Sequence, residues 1–370
     1  MKFVTLYPET KNVHLVKDIG MLPYKLYSLY GYDSYVACYM DDNDYPFLDD
    51  KVAGLKLIKV DKKYSSRILN GLRFIRINSG DIDILNIYHL NLSSFFWALY
   101  YKFKKKKGAK LYLKLDMSYA GLETCMAFNP VGFIKRSTIR LSDIISVEAS
   151  QLMETLKKRF KGKTADRIIR VQNGFYMPKK PEGYEYHKEK VILTVGNLGT
   201  IEKATDTLLE GFAASAQNHD YKLRLIGSVS KDFLEYKNRF MKEHADIENR
   251  IDFFGTITDK EELARQYRNS AIFILPSRQE AFSLALIEAA GCGCYLITSD
   301  KVTAGFDVSN HYKYGACFKA DDIYDLSRVI SETCKINDFD GRAKEIEQFT
   351  KDNFNWETIL ESLRDKCEGR

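Results

Sequence analysis

The chain reads as an α/β protein of the doubly wound kind, built twice over. Three observations predict this. Short β-branched and aromatic runs alternate with longer amphipathic helical patterns along all 370 residues. The alternation breaks once, over the polar stretch 173–190 that contains K-K-P-E-G-Y-E-Y-H-K-E-K, and then restarts. The length also exceeds what one hydrophobic core usually holds. Two Rossmann-like domains, residues 1–180 and 181–352, are expected to face a central cleft. A terminal helix over 353–370 follows, free to cross back to the first domain. Ligands of open parallel sheets bind at the carboxyl ends of strands, so the loops at those ends should line the cleft.

In the first half the strands fall at 2–7, 34–39, 55–60, 82–88, 110–115, 144–147 and 168–171, with amphipathic helices between them. The second half repeats the scheme at 191–195, 222–226, 251–254, 272–275, 294–298 and, weakly, 315–318. The last helix spans 354–366, with Asn355 placed to cap it.

Composition narrows the class. Hydrophobic residues make up 45% and charged residues 29%, as in ordinary soluble proteins. Lys and Arg exceed Asp and Glu by 56 to 50, a formal charge of +6 that permits anionic partners without demanding nucleic acid. The start M-K-F-V-T-L-Y-P has too short an apolar run for a signal peptide, and no stretch of 18 apolar residues occurs. A cytoplasmic protein is expected, with the inner face of the plasma membrane as an option. Seven scattered cysteines fit free thiols. Cys292 and Cys294 lack a second pair at ligand spacing, so no metal site is expected; small residues before a strand account for them.

The segment from Phe273 to Glu288, F-I-L-P-S-R-Q-E-A-F-S-L-A-L-I-E, carries most information. A buried strand empties into a loop holding Glu280, and helix-forming residues then carry Glu288 eight positions on. A helix start attracts phosphate, and carboxylates beside such a site are suited to accept hydrogen bonds from sugar hydroxyls. Glu280 as a simple helix-start acid and Glu288 as a solvated one is the alternative. Upstream, V-I-L-T-V-G-N-L-G-T-I-E-K-A gives a strand, a loop with Gly196 and Gly199, and a helix beginning near Ala204. Lys203 stands there either to neutralise a phosphate or as a solvated lysine.

Taken in order, G-N-L-G-T-I-E-K, F-F-G-T-I-T-D-K-E-E-L and L-P-S-R-Q-E-A-F-S-L-A-L-I-E-A-A-G-C-G resemble the donor-binding half of glycosyltransferase family 4. Members are retaining enzymes of the GT-B fold that use nucleotide sugars without a catalytic metal. The resemblance is specific over about 190–320, and V-Q-N-G-F-Y, ending at Tyr176, is similar to the family's strand into the linker. It implies that Glu288 holds the ribose hydroxyls, Glu280 contacts the transferred sugar, and Lys203 stabilises the leaving diphosphate. Backbone N–H groups around Ser283 and Leu284 would receive the distal phosphate, and Gly255 falls in the loop flanking the base. Gly196 and Asn197 complete the expected donor-binding set.

Departures from the family's pattern are specific. Asn197 stands where many members have arginine, six residues before the lysine, and offers only an amide. One cation fewer facing a developing phosphate charge costs a few kcal/mol, about as much as one oxyanion donor. Ser283 replaces the usual glycine of the phosphate-facing turn. The family often has a histidine at the end of the strand after the one near His89; here Asp116 occupies that strand end. Asp116 is a catalytic candidate, able to bind a sugar hydroxyl or take the acceptor's proton, or else a strand-end cap or partner for Lys114. After the first strand the usual Gly-rich loop is missing, so side chains should make the contacts. Asn12, His14, Lys17 and Asp18 are the acceptor-side candidates, with His14 and His89 open to a packing role.

The run S-S-F-F-W-A-L-Y-Y-K-F-K-K-K-K-G-A-K over 93–110 is an aromatic helix ending in lysines. Trp97 with Lys104, Lys105, Lys106 and Lys107 suits the headgroup level of an anionic membrane, or alternatively a core-facing helix with lysines at its C-terminal dipole. The expected function is hexose transfer from a UDP- or GDP-sugar to a saccharide acceptor, lipid-linked or soluble, in bacterial surface polysaccharide assembly (capsule, O-antigen or exopolysaccharide). No cofactor, metal or nucleic acid is expected. A GT-B subunit that binds nucleotide sugar without turnover and a nucleotide-sugar epimerase are the other readings.

Overall fold

The computed structural model describes residues 1–42, 44–175 and 178–370. Tyr176, which closes the V-Q-N-G-F-Y run, and Met177 in the linker lie outside them. Every expected strand forms, with ends shifted by one or two residues.

The first unit carries β1 (Lys2–Leu6), β2 (Asp33–Cys38), β3 (Lys56–Lys59), β4 (Ile84–Tyr88), β5 (Lys110–Lys114), β6 (Ile144–Val147) and β7 (Ile168–Arg170). They form one parallel sheet in the order β3-β2-β1-β4-β5-β6-β7. Val4 pairs with Tyr35 on one side and Leu85 on the other, so the strand order reverses beside β1. β4 is buried throughout because helices cover both faces of the sheet. The second unit carries β8 (Glu189–Val195), β9 (Lys222–Ile226), β10 (Ile251–Gly255), β11 (Ser270–Leu275), β12 (Tyr295–Ser299) and β13 (Gly315–Phe318), in the order β10-β9-β8-β11-β12-β13. Its reversal lies between β8 and β11, where Ile192 faces both Leu223 and Ile272. Central positions such as Phe273 and Ile274 are wholly buried. Each such side chain is worth about 1.5–3 kcal/mol of transfer free energy.

The units are Met1–Asn173 with Trp356–Arg370, and Gly174–Asn355. The boundary therefore precedes the expected 180/181 division, because the connecting stretch packs along the second unit. Phe175 lies against Gly291, where a Cβ would meet its ring at 2.3 Å, and Lys180 pairs with Glu347. Helix Trp356–Glu368 buries Ile359, Leu360 and Leu363 in the cluster that holds Phe3 and Tyr112 of the first sheet.

Helix Leu92–Lys104 corrects one expectation. Trp97 is 1% exposed, and its indole N–H donates to the Ile68 carbonyl at 3.1 Å. Gly71 makes room for it; a Cβ there would sit 2.3 Å from the indole. Trp97 is thus a core residue with its polar atom satisfied, not a membrane anchor. Lys105 pairs with Asp143 and Lys106 with Asp83, whereas Lys104 and Lys107 are exposed. The lysine block precedes β5, so it lies at the amino end of the parallel sheet, opposite the end where strand-following loops gather.

Candidate functional site

In the second unit β8 runs into a loop, a single 3-10 turn Ile201–Lys203, and helix Thr205–Ser215. The loop is held by close backbone approach. Gly227, after β9, has φ +140, and a Cβ on it would lie 1.8 Å from the Gly196 carbonyl oxygen. The loops interleave through Leu198 N–H to Ser228 O and Ser230 N–H to Leu198 O, both 2.8 Å. Gly199 N–H donates to Thr205 Oγ1 at 2.8 Å. Ser228 Oγ donates to Asn197 Oδ1 at 3.2 Å, which leaves the Asn197 amide N–H groups as its donors. Gly255 ends β10 at φ +86, and its carbonyl accepts Gly227 N–H at 2.9 Å.

β11 supplies the opposite wall. Arg278 binds Asp321 at 2.6 Å, Asp206 at 2.7 Å and the Ile201 carbonyl at 2.8 Å, while its own N–H donates to Glu202 O at 2.8 Å. One guanidinium therefore ties the loop after β11 to the turn that carries Lys203. Glu280 follows in a short parallel bridge to Val302, its carbonyl accepting from Thr303 N and Oγ1 at 3.0 and 2.9 Å. Its carboxylate receives the Lys203 ammonium.

Helix Leu284–Gly291 begins four residues later, so Glu280 stands ahead of it and Glu288 on its second turn. Ser283, its N-cap, is held at φ +66, a region costly for any residue with a Cβ. Glu288 accepts from Tyr267 OH at 3.3 Å and from Lys260 at 3.4 Å. Burial raises its carboxyl above the ordinary range, against the opposing pull of Lys260. A carboxylate in so dry a place has strong reason to accept hydroxyl hydrogen bonds.

The candidates in the first unit sit at the carboxyl end of its sheet. Asp116 is exposed two residues past β5. Lys114 is wholly buried and pairs instead with Glu148 after β6, at 2.5 Å, and Asp18 at 3.5 Å. Burial raises the Glu148 carboxyl; burial also opposes the Lys114 charge, but Glu148 and Asp18 outweigh it. Among the described residues the buried Glu148 Oε2 has no hydrogen-bond partner. His89 follows β4 at φ +62, and its N–H donates to Lys114 O at 3.2 Å. Burial lowers the His89 pKa against the pull of Asp116 and Asp18. Asn12 is committed to the fold, its Oδ1 accepting Phe47 N–H at 3.0 Å. His14 Nδ1 accepts Lys11 N–H at 3.0 Å, and its ring meets Tyr7 edge-on. Lys17 is exposed at the N-cap of helix Asp18–Tyr30.

Four residues escaped the sequence reading: Glu148, Arg278, Gly227 and Tyr267. Glu148 carried a usable signal, a charge directly after the apolar strand I-I-S-V. Arg278 and Tyr267 act through partners far along the chain, which no local pattern reveals.

Two parallel Rossmann-like units with these strand-end loops constitute a GT-B fold. Residues 178–351 match the model of the family "Glycosyl transferases group 1". Among curated relatives, mannosylfructose-phosphate synthase of Agrobacterium fabrum is 30% identical over 191 residues, covering 49% of this chain and 41% of that protein. The chain spans between 28% and 41% of the length of the curated relatives it matches. Among solved structures, Anabaena HepE in complex with UDP superposes with TM-score 0.74 at 13% identity, over 100% of both chains. The apo form of the lipopolysaccharide outer core galactosyltransferase WaaB gives 0.71 at 17% identity, over 100% of this chain and 99% of that one. Among the described residues no helix is long and apolar enough to cross a membrane.

Proposed function

We propose that the chain is a retaining, metal-independent glycosyltransferase that moves a hexose from a UDP- or GDP-sugar to a saccharide acceptor. The acceptor is lipid-linked, the setting bacterial surface polysaccharide assembly, and the place of work the cytoplasm. The observation that carries this reading is the Lys203–Glu280 ion pair, set beside the helix that bears Glu288. In it a cation for a diphosphate and a carboxylate for a sugar hydroxyl are held ready on two loops of one sheet end.

On this reading Glu288 accepts hydrogen bonds from the ribose, and N–H groups at Ser283 and Leu284 receive the distal phosphate. Gly196, Asn197 and Gly255 shape the rest of the donor site. The bond from the sugar's anomeric carbon to the diphosphate oxygen breaks, and Lys203 neutralises the departing charge. Glu280 steadies the oxocarbenium-like sugar. The acceptor hydroxyl attacks the face just vacated and its proton passes to a phosphate oxygen, closing the balance. Asp116, with Lys17, Asp18 and His14, orients the acceptor. UDP bound to the similarly folded HepE supports a uridine nucleotide as the first donor to try.

Asn197, with its amide oxygen taken by Ser228, favours a second reading: a subunit that binds nucleotide sugar without turnover. Assaying nucleotide release from a panel of UDP- and GDP-hexoses, with acceptor-containing membranes, separates the two. Release above the background of a Glu280→Gln variant supports transfer; donor binding without release supports the second reading.

A further inference from the structure

The turn Ile201–Lys203 carries the cation of the candidate donor site, yet no residue of the turn is buried, and Ile201 is 79% exposed. Apolar burial of the turn itself therefore does little to place it. Polar bonds to one residue do. Arg278, on the loop after β11, donates from Nη1 to the Ile201 carbonyl at 2.8 Å, and its backbone N–H donates to the Glu202 carbonyl at 2.8 Å. Two successive carbonyls ahead of Lys203 are thus held from the opposite loop.

The rest of the guanidinium is engaged in the same frame. Its Nη2 donates to Asp206 Oδ2 at 2.7 Å and to Thr207 Oγ1 at 3.2 Å, both on the helix that follows the turn, and its Nε donates to Asp321 Oδ1 at 2.6 Å, past β13. Thr207 Oγ1 donates to the same Asp321 oxygen at 3.2 Å, which closes a ring of three side chains. Two carboxylates oppose the guanidinium charge, so its planar fork supplies geometry within the protein rather than a cation for a ligand. Lys203 differs. Its acidic partner is Glu280, two residues past Arg278 on the same loop, in a pair partly open to solvent and correspondingly weak. Once a phosphate draws the ammonium away from Glu280, Arg278 still holds the turn.

We propose that Arg278 is a positioning residue that presets the Lys203 ammonium against the diphosphate of the donor without touching the donor itself. The inference rests on the reading of Lys203 as the cation for that diphosphate. Asn197 adds to its weight, since an uncharged amide on the same loop leaves more of the phosphate charge to Lys203.

A double-mutant cycle on the full chain tests it, read as turnover of a UDP- or GDP-hexose with acceptor-containing membranes and as the Kd for UDP or GDP. Arg278→Gln should lower kcat by about a hundred-fold, the scale of a displacement of about 1 Å in a positioned group, and raise the nucleotide Kd toward that of Lys203→Ala. Arg278→Lys keeps the charge but not the fork and should recover less than about ten-fold of that loss. In a Lys203→Ala background Arg278→Gln should cost nothing further in kcat or nucleotide affinity, while the melting temperature falls equally in both backgrounds. Losses that multiply in the double variant overturn the proposal, because Arg278 then touches the donor or holds something other than Lys203. Full recovery by Arg278→Lys overturns it as well, since charge alone then suffices. A Lys203→Ala variant with unchanged kcat and unchanged affinity refutes the role given to Lys203 and this inference with it. A wild type that binds nucleotide without turnover contradicts the transferase reading alone; non-additive Kd values then still support the role of Arg278, and additive ones overturn it.

Discussion

Lys203 and Glu280, 77 residues apart in sequence, close an ion pair between the loops that follow β8 and β11. Each side chain keeps some exposure, 29% and 19%. A pair this open is worth about 0–1 kcal/mol, little enough for a diphosphate to separate it. On the proposed function, donor binding would exchange one partner for another at both residues.

That exchange gives opposite expectations for binding and turnover. Glu280→Gln frees the lysine, so UDP affinity by calorimetry should stay level or rise by up to about five-fold. Turnover should fall by about a hundred-fold to a thousand-fold. A variant that loses binding and turnover equally speaks against Glu280 facing the sugar.

Glu288→Ala should act on the nucleotide instead. Removing a mostly buried carboxylate that receives hydroxyls costs about 1.5–3 kcal/mol, a ten-fold to hundred-fold rise in nucleotide Kd. The dissociation constant for UDP or GDP, measured on the purified variant, checks it. Unchanged affinity contradicts the role given to Glu288.

Two backbone positions should respond in opposite directions. Ser283→Gly relieves a left-handed Cβ at φ +66 and should raise stability by about 0.5–1 kcal/mol. Gly227→Ala forces a Cβ toward the Gly196 carbonyl and should cost about 3 kcal/mol or more, with the loop at Gly196 displaced. Denaturant unfolding of both variants supplies the comparison.

The buried Lys114–Glu148 pair sets a pH signature. Burial raises the folded Glu148 carboxyl above its unfolded value, so the folded state binds that proton more tightly. The contribution is complete below the unfolded pKa and is lost as pH rises through the folded one. Relative to Glu148→Gln, wild-type stability should decline from about pH 4 to about pH 9. Glu148→Ala, which leaves the buried Lys114 ammonium with Asp18 alone at 3.5 Å, should cost about 3 kcal/mol at neutral pH. A parallel pH dependence in wild type and Glu148→Gln would contradict this.

The fold was legible because buried parallel strands leave apolar runs between helical patterns. Even the weak 315–318 strand forms, as Gly315–Phe318. The placement of Lys203, Glu280 and Glu288 at one sheet end was legible too, since they lie in continuous strand–loop–helix segments. What failed depended on which way a side chain turns within its element. The run around Trp97 reads as a single aromatic stripe, yet packing against Gly71 turns that indole inward while Phe96 and Phe103 stay outside. Lys114 was read beside Asp116 as a sequence neighbour. Lys114, the last residue of β5, is buried against Glu148, a partner 34 residues on, which only the sheet order β5-β6 brings close.

The most direct test of the central claim is transfer of radiolabel from UDP- and GDP-hexoses into lipid-extractable acceptor, with the anomeric configuration of the new linkage read from the product. The account predicts labelled product with the donor's configuration retained, abolished by Glu280→Gln. Donor bound across the panel with no label transferred, or product of inverted configuration, would contradict it.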